Sequence, residues 1–147
     1  MSERPSRSSR ADYRLFRPIA TRWMDNDVYG HVNNVVYYSY FDTAVNGYLI
    51  EQGVLDIVES GVVGLVVETA CAYFESVAFP DPLEAGVAVT KLGRSSVRYA
   101  IGIFKAGAEL AAAQGHFVHV YTDRATNRPV PIPDETRRAL SALVMPA

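Results

Sequence analysis

Apolar residues follow two different periods along this chain, and the period changes from one segment to the next. Every second residue from Val97 to Ile103 is apolar, and this alternation predicts a strand with one buried face in the run from Ser96 to Lys105. The segment from Val35 to Gln52 instead carries apolar or aromatic residues on nearly every side of a helix and stops before Gly53, a residue that favours helix termination. A helix with this pattern is buried, so other elements must enclose it.

Four further runs, rich in β-branched and aromatic residues, predict more strands. Pro18 favours an edge position or a bulge for the first of them. The runs after the helix are close in sequence and joined by short turns, which favours antiparallel pairing in a meander. The four runs are Tyr13 to Trp23, Gly61 to Phe79, Ala85 to Leu92 and Leu110 to Thr122.

The chain ends in a second, shorter helix. A loop with three prolines lies between Asp123 and Pro133, and Asp134 is the predicted N-cap of an amphipathic helix that extends to Leu143. One long helix wrapped by a single antiparallel sheet of about five strands is the economical way to bury such a helix. The predicted class is therefore α+β, with a long central helix, a curved sheet and a short C-terminal helix.

Composition excludes several classes of protein. Of the 147 residues, 49% are hydrophobic and 20% are charged, a balance that excludes disorder over most of the chain. The single cysteine, Cys71, excludes an internal disulfide framework and favours a cytoplasmic location. The longest apolar stretch, Val62 to Val67, is too short to span a bilayer. A formal net charge of −2 argues against nucleic acid as a partner.

Positive charge is concentrated at the N-terminus. Residues 1–22 contain six arginines against Glu3 and Asp12, a net charge of +4, so the remainder of the chain carries −6. The first ten residues are polar and lack the apolar run of a signal peptide. They predict a flexible arm over residues 1–10, followed by a single domain over residues 11–147.

A polar segment at the start of the predicted helix carries the candidate chemistry. The residues from Asp25 to Asn34 place Asp27, His31 and several backbone N–H groups at a helix N-terminus, where negative charge is stabilised. A carboxylate there acts as a nucleophile or general base towards an activated carbonyl. The alternative is structural, because Asp and Asn residues also build turns, and Asn33 or Asn34 is a suitable N-cap.

This segment resembles the D-x-D-x-x-G-H-V-N-N-x-x-Y signature of hotdog-fold acyl-CoA thioesterases, of the 4-hydroxybenzoyl-CoA and acyl-ACP thioesterase kinds. The resemblance continues through residues 79–82, 92–99 and 119–133, and covers about residues 13 to 143. It implies a single-layer sheet curled around the helix, and a homodimer or homotetramer with active sites at the dimer interface. The substrate it implies is an acyl-CoA, and it implies neither a metal nor an organic cofactor.

Matching the signature residue by residue assigns roles within the loop. Asp27 is the catalytic carboxylate, which attacks the thioester carbonyl or activates the attacking water. Backbone N–H groups near Asn34 polarise the thioester oxygen, and His31 is an accessory site residue. Asn33 orders the loop on the substrate side. Tyr29 stands where acyl-ACP thioesterases have an asparagine, a departure from the full constellation of that group.

Asp25 precedes Asp27 by two residues and is expected to pair with Arg22 or a backbone N–H and so keep the shape of the loop. Two nearby carboxylates also offer another interpretation, in which one pKa is raised to make a better base.

Polar residues outside the loop are further candidates for substrate binding or catalysis. Arg94 and Ser95, in the turn that matches the R-S-S segment of the family, are candidates to bind the phosphates of CoA. A dyad of Cys71 with His116 or His119 is discounted, because these histidines are three apart on one strand and face opposite sides. Spacing selects neither Glu68 nor Glu75 as a catalytic acid.

Three alternatives remain beside the thioesterase. A hotdog enoyl-thioester hydratase or dehydratase needs an Asn two residues and a His five residues after the Asp, whereas Asp27 is followed by Tyr29 and His31. A non-catalytic protein that binds acyl-CoA or an aromatic ligand would keep the fold. A purely structural dimeric subunit is disfavoured by the polar loop on an otherwise apolar helix.

Overall fold

The structure, a computed structural model, describes residues 6–145, and residues 1–5 and 146–147 lie outside the described part. Two short 3-10 turns, at Arg10–Asp12 and Trp23–Asp25, accompany the main elements. Over residues 6–145 these elements are β1 (Leu15–Ile19), α1 (Val36–Glu51), β2 (Val62–Tyr73), β3 (Leu83–Leu92), β4 (Ser96–Lys105), β5 (Ala113–Asp123) and α2 (Asp134–Ser141).

The strands form one antiparallel sheet in the order β1-β3-β4-β5-β2. The predicted meander is confirmed for β3, β4 and β5. It is wrong for β2, which pairs with β5 at the far edge instead of with β3. The chain between β2 and β3 explains this, because it passes the start of α1: the Val32 N–H donates to the Val77 carbonyl at 2.8 Å, and the Phe79 N–H donates to Asn26 Oδ1 at 2.9 Å. This path carries the chain from β2, at one edge of the sheet, to β3, which lies between β1 and β4.

One face of the sheet and one side of α1 form the main core. The inward residues of β4, from Val97 to Ile103, have at most 1% of their surface exposed, as the alternation predicts. Ser39, Asp42 and Thr43 of α1 are exposed, so the helix is buried on its sheet-facing side and not all round. No helix within residues 6–145 is long and apolar enough to cross a membrane. Seven helix residues are buried: Tyr37, Tyr40, Phe41, Ala44, Val45, Tyr48 and Leu49.

The two ends of α1 differ in how well local sequence predicts them. Gly53 adopts a φ of 74° just after the last turn, and its N–H donates to Ile50, so the predicted terminator is confirmed. The prediction of Asn33 or Asn34 as N-cap is wrong, because Val35 holds that position. Asn33 nevertheless serves the helix start, since its Oδ1 accepts from Val35 N–H at 3.1 Å and its carbonyl from the next N–H at 2.9 Å.

Several other element ends also differ from the predictions. β1 stops at Ile19 because a 3-10 turn takes up residues 23–25 before the loop. β2 stops at Tyr73, since the N–H groups of Phe74 and Glu75 both turn to the Ala112 carbonyl. β5 correspondingly begins at residue 113. Asp134 is the first residue of α2, one position after its N-cap.

The N-terminal residues within the described part are bound to the sheet where the sequence predicts a flexible arm. Residues 1–5 of that arm lie outside the description. Ser6–Asp12, called the N-terminal strap below, follows residues 108–114: the Ala111 N–H donates to the Ser8 carbonyl at 2.9 Å, and Arg10 Nε donates to the Ala108 carbonyl at 2.6 Å. The strap therefore satisfies backbone groups just before β5 that would otherwise need water.

The close approach of β2 and β5 gives a test of the register. A Cβ at Gly115 would overlap the carbonyl oxygen of Ala70, which is backbone and unable to swing away. We expect Gly115→Ala to lower the free energy of unfolding by about 1–3 kcal/mol through overpacking. Gly61→Ala is the control, because a Cβ there has nothing within 4 Å. Urea denaturation of both variants measures the difference, and equal stability would contradict the described register.

Candidate active site

Asp25 anchors the polar loop to the central helix. Its side chain is fully buried and accepts from Arg22 N–H at 2.9 Å, from Arg22 Nε at 3.0 Å and from the Tyr40 hydroxyl at 2.8 Å. Burial alone would raise the pKa of Asp25, but these hydrogen bonds and the Arg22 charge together lower it. The expected pairing with Arg22 is confirmed, and Asp25 is not a carboxylate whose pKa is raised by its neighbour.

Asp27 stands at the base of a tight loop. Its N–H donates to the His31 carbonyl at 2.9 Å, and its own carbonyl accepts from Gly30 N–H at 3.0 Å. Gly30 has a φ of 81°, a conformation that glycine adopts at no steric cost. Asp27 Oδ1 accepts from the Tyr29 N–H at 2.9 Å. The other carboxylate oxygen accepts no hydrogen bond within residues 6–145, so the side chain, which is half-buried, keeps one oxygen available.

A cavity of about 260 Å³ opens beside this loop at the start of α1. His31 and Asn34 form part of its wall, so the structure brings two of the predicted site residues together. The Tyr73 hydroxyl donates to the Asn34 carbonyl at 2.9 Å, and the Tyr37 and Tyr73 rings meet edge to face at 5.0 Å. Asp27 borders the cavity through its backbone bond to His31 and does not line it.

The backbone N–H groups at the helix start differ in whether they have a hydrogen-bond partner within the described part of the chain. Asn33 engages the N–H groups of Val35 and Val36 with its side chain and carbonyl, so it orders the turn and does not line the cavity. The N–H of Asn34 has no hydrogen-bond partner within the described part of the chain. It therefore remains available to a ligand oxygen at the positive end of the helix dipole.

Arg94 and Ser95 lie at the other end of the sheet. Their turn joins β3 to β4, where the Arg94 carbonyl accepts from Ile132 N–H at 2.9 Å and the Ser95 carbonyl from Tyr121 N–H at 2.7 Å. The helix start is near the opposite end of β4, and ten strand residues span roughly 30 Å. One chain therefore does not bring these two residues together with Asp27.

Sequence reasoning missed most of the cavity wall. Tyr37 could have been found, because it is the final residue of the signature. Glu75 could not, because its partners are distant in sequence: Lys105 Nζ and Arg7 Nη2 each lie 2.7 Å from its carboxylate. The hydrogen bond from Lys105, with that from Arg7, lowers the pKa of Glu75. The rest of the cavity wall is formed by Val32, Tyr73, Phe74 and Ser76.

Cys71 and the strand histidines form no nucleophilic dyad. Burial raises the pKa of the Cys71 thiol to about 11. His116 lies on the outer face, with Nε2 2.8 Å from Glu68 Oε1, whereas His119 is buried on the inner face with a pKa lowered by burial to about 4. The prediction that they face opposite sides is confirmed. Residues 6–145 contain no group of three or more His, Cys, Asp or Glu side chains placed to hold a metal ion.

A larger cavity of about 520 Å³ lies on the outer face of the sheet, under Tyr13 and the strap. Its wall combines small residues such as Ala70, Ala72 and Ala100 with polar ones such as Gln114 and His116, and it includes no residue of the polar loop. The smaller cavity at the helix start therefore has the stronger claim to the chemistry.

Comparison with known proteins identifies the family. A model of the thioesterase-like superfamily matches residues 21–140, from just before the polar loop into α2. The chain belongs to the thioesterase-like superfamily. No curated protein matches it.

Solved structures extend this superfamily assignment. The PA5185 protein from Pseudomonas aeruginosa strain PAO1 is 55% identical, with a TM-score of 0.93 over 95% of this chain and 97% of that one. BH1999 gentisyl-coenzyme A thioesterase is 23% identical, with a TM-score of 0.75 over 86% and 99%. Slr0204, a 1,4-dihydroxy-2-naphthoyl-CoA thioesterase from Synechocystis, is 17% identical, with a TM-score of 0.79 over 89% and 98%. The last two likenesses show the fold, and the expected hotdog architecture is confirmed.

The Asp25 anchor predicts how this thioesterase-like fold responds to pH. Asp25→Asn removes the charge that Arg22 and Tyr40 bind, and we expect the free energy of unfolding at pH 7 to fall by about 2–3 kcal/mol. The folded pKa lies below the unfolded value of 3.8, so the charge stabilises the fold above that pH and this contribution is lost as the pH falls through the folded pKa.

Denaturation of wild type and variant at several pH values measures this effect. The difference in stability between them should narrow below pH 3.8. Asp81→Asn is the control and should change stability little, because Asp81 is exposed in the β2–β3 connection and its side chain makes no hydrogen bond within residues 6–145. A difference between wild type and Asp25→Asn that stays constant down to low pH would rule out the buried, ionised anchor.

Proposed function

We propose that the chain is an acyl-CoA thioesterase that hydrolyses a small-molecule acyl thioester to the free acid and CoA. The observation that carries this proposal is the Asp27 carboxylate, which keeps one oxygen free in the loop that borders a cavity at the N-terminus of α1. Membership of the thioesterase-like superfamily supports it. Two proteins of similar fold are a gentisyl-coenzyme A thioesterase and a 1,4-dihydroxy-2-naphthoyl-CoA thioesterase, which supports a thioester of CoA as the substrate.

In the proposed reaction, Asp27 starts the attack on the thioester carbonyl. Its free oxygen either attacks the carbon directly, forming an anhydride that water then hydrolyses, or takes a proton from the attacking water. Either route breaks the C–S bond, and the departing CoA thiolate takes up a proton. The N–H of Asn34 and the dipole of α1 stabilise the negative charge that develops on the carbonyl oxygen. His31 is an accessory group in the cavity wall, Asn33 orders the turn, and no cofactor takes part.

The acyl group is proposed to occupy the cavity. Tyr37, Tyr73 and Phe74 give it an aromatic wall, and a volume of about 260 Å³ suits a small acyl group. His31 and Ser76 add polar groups that can orient it. Aromatic side chains next to a few polar ones favour a substrate with a planar or ring-containing acyl group.

A second copy of the chain is proposed to complete the site. β2 is an edge strand, and its exposed Leu65, Val66 and Val67 form an apolar edge of a kind that single chains avoid. Trp23 and Tyr29 beside Asp27 are also more than 80% exposed. Antiparallel pairing of two β2 edges gives a homodimer, and pairing of two such dimers gives a homotetramer. In the dimer, the Val62 end of one β2 strand lies beside the Tyr73 end of the other. Arg94 and Ser95 then come to the same end of the assembly as Asp27 of the partner, where CoA phosphates can reach them.

A second candidate function is binding of an acyl-CoA or aromatic ligand without catalysis. The hydrogen bond from Tyr29 N–H to Asp27 Oδ1 favours it, because this bond gives the carboxylate a structural role in the loop. A hydratase or dehydratase is less favoured, since Tyr29 points to solvent where that chemistry needs an asparagine.

The catalytic role of Asp27 is tested by Asp27→Asn. Asparagine keeps an oxygen for the Tyr29 N–H, so the loop and the thermal stability should be retained while hydrolysis falls by about 100-fold or more. The measurement is thiol release from benzoyl-, phenylacetyl-, hexanoyl- and palmitoyl-CoA. Undiminished hydrolysis in the variant would disprove the mechanism. Tight binding of an acyl-CoA by wild type, with no hydrolysis, would establish the binding function. The hydratase is tested separately by adding an enoyl-CoA to wild type, and loss of the absorbance of its conjugated double bond would establish that activity.

Assembly is tested at the free edge of β2. A charge at Val66 disfavours apolar edge-to-edge pairing, so we expect Val66→Lys to halve the particle mass and to lower hydrolysis in parallel. Ile57→Lys is the control, because Ile57 is 70% exposed but lies outside the strand. Static light scattering on wild type should give twice 16.2 kDa or a multiple of that dimer mass. A wild-type mass of 16.2 kDa would disprove the shared site.

A further inference from the structure

Glu75 joins the cavity wall to the N-terminal strap. Glu75 is one of the residues that line the cavity at the helix start, together with His31 and Asn34. Its backbone is also held in place, because its N–H donates to the Ala112 carbonyl at 3.0 Å. Its two carboxylate oxygens are bound separately, Oε1 by Lys105 Nζ and Oε2 by Arg7 Nη2, each at 2.7 Å. The direction of this side chain is therefore set by two cations from distant parts of the chain.

Arg7 is itself held in place by the strap. Its Nε donates to the Ala111 carbonyl at 2.7 Å while its Nη2 binds Glu75, so the guanidinium bridges the backbone before β5 and the cavity wall. Gln114 holds the strap on either side of Arg7, since its Oε1 accepts from Ser8 N–H at 2.6 Å and its Nε2 donates to the Ser6 carbonyl at 2.7 Å. Arg7 thus connects the described part of the basic N-terminal stretch to the candidate site.

We propose that Arg7 is a positioning residue of the candidate active site, which acts by holding the Glu75 carboxylate in the cavity wall. The inference rests on the proposed thioesterase function and adds to it a part of the chain that lies outside the signature. Arg7 and Lys105 together offset the negative charge of Glu75. Without Arg7, Glu75 Oε2 has lost its cation, and the carboxylate, still bound by Lys105 through Oε1, turns towards the cavity. Negative charge there opposes both Asp27 and the oxyanion of the reacting thioester.

The strap supplies a matched control. Arg10 also donates from Nε to a backbone carbonyl, that of Ala108, and from Nη2 to a carboxylate, that of Glu84, both at 2.6 Å. Glu84 does not line the cavity at the helix start. Both ion pairs are partly exposed, so each contributes little to stability. Arg7→Gln and Arg10→Gln therefore remove similar hydrogen bonds from the strap. Arg10→Gln also removes the contact of the guanidinium with the Phe16 and Phe104 rings, so the control loses at least as many strap contacts as Arg7→Gln. The carboxylate that loses its arginine borders the candidate site only in Arg7→Gln.

The experiment compares hydrolysis of the best acyl-CoA of the panel by wild type, Arg7→Gln and Arg10→Gln. We expect Arg7→Gln to lower kcat/KM roughly tenfold with a rise in KM, and Arg10→Gln to change it less than about twofold, at similar melting temperatures. Arg7→Lys, which keeps a cation for Glu75, should recover part of the loss. Equal losses in Arg7→Gln and Arg10→Gln would show that the strap only stabilises the fold and would overturn the proposal.

A double-mutant cycle tests whether Arg7 acts through Glu75. In a Glu75→Gln background, Arg7→Gln should change kcat/KM less than about twofold, because the group that it positions is already neutral. A further tenfold loss in that background would overturn the proposal.

A binding measurement tests the positioning role of Arg7 without depending on hydrolysis. The dissociation constant for an acyl-CoA analogue with a thioether in place of the thioester is measured by calorimetry for the same variants. Absence of hydrolysis by wild type would overturn the thioesterase function alone. Weaker analogue binding by Arg7→Gln than by Arg10→Gln would still support the positioning role, and equal binding would overturn it.

Discussion

Burial of the sheet-facing side of α1 is the constraint on which the rest of the structure depends. The helix carries four tyrosines and a phenylalanine, and it covers the inward faces of β3, β4 and β5, whose residues are almost completely excluded from water. Aromatic side chains of this size contribute much of the apolar area that stabilises a domain. Because the helix must lie across the sheet, its N-terminus falls at one end of the strands, and the connection from β2 to β3 has to pass that end.

The candidate site is a consequence of this packing. Tyr40 belongs to the buried side of α1, yet its hydroxyl binds Asp25, so the polar loop is attached directly to the core. The β2–β3 connection supplies the other wall of the cavity as it passes. Asp25 and Asp27, two residues apart, thereby take different tasks: the first is buried and bound by three donors, and the second keeps an oxygen free. A rigid support under a half-exposed carboxylate is what positioned chemistry requires.

Whether the sequence predicts a feature of the structure depends on how far apart along the chain its interacting residues are. The helix, its end at Gly53 and the buried face of β4 follow from local periodicity, and the Arg22–Asp25 pair is only three residues apart, so all are predictable. The place of β2 depends on pairing with residues about fifty positions away, where nearby strands compete. Glu75 and its partners are 68 and 30 residues apart, and no spacing rule connects them. The polar composition of residues 1–10 predicts a flexible arm, whereas the described part of it, residues 6–10, is held by hydrogen bonds to residues 108–114, which are about 100 positions away.

The contact between the strap and the start of β5 has a consequence for the order in which the protein is made. Arg7 leaves the ribosome before its backbone partner Ala111, which is 104 residues further along the chain. The strap therefore has no docking place until the segment before β5 emerges, and before that point Lys105 is the cation that can bind Glu75. Domains fold as units during synthesis. The cavity wall is completed only after Ala111 has been made, so a nascent chain released earlier holds the signature loop without its finished site.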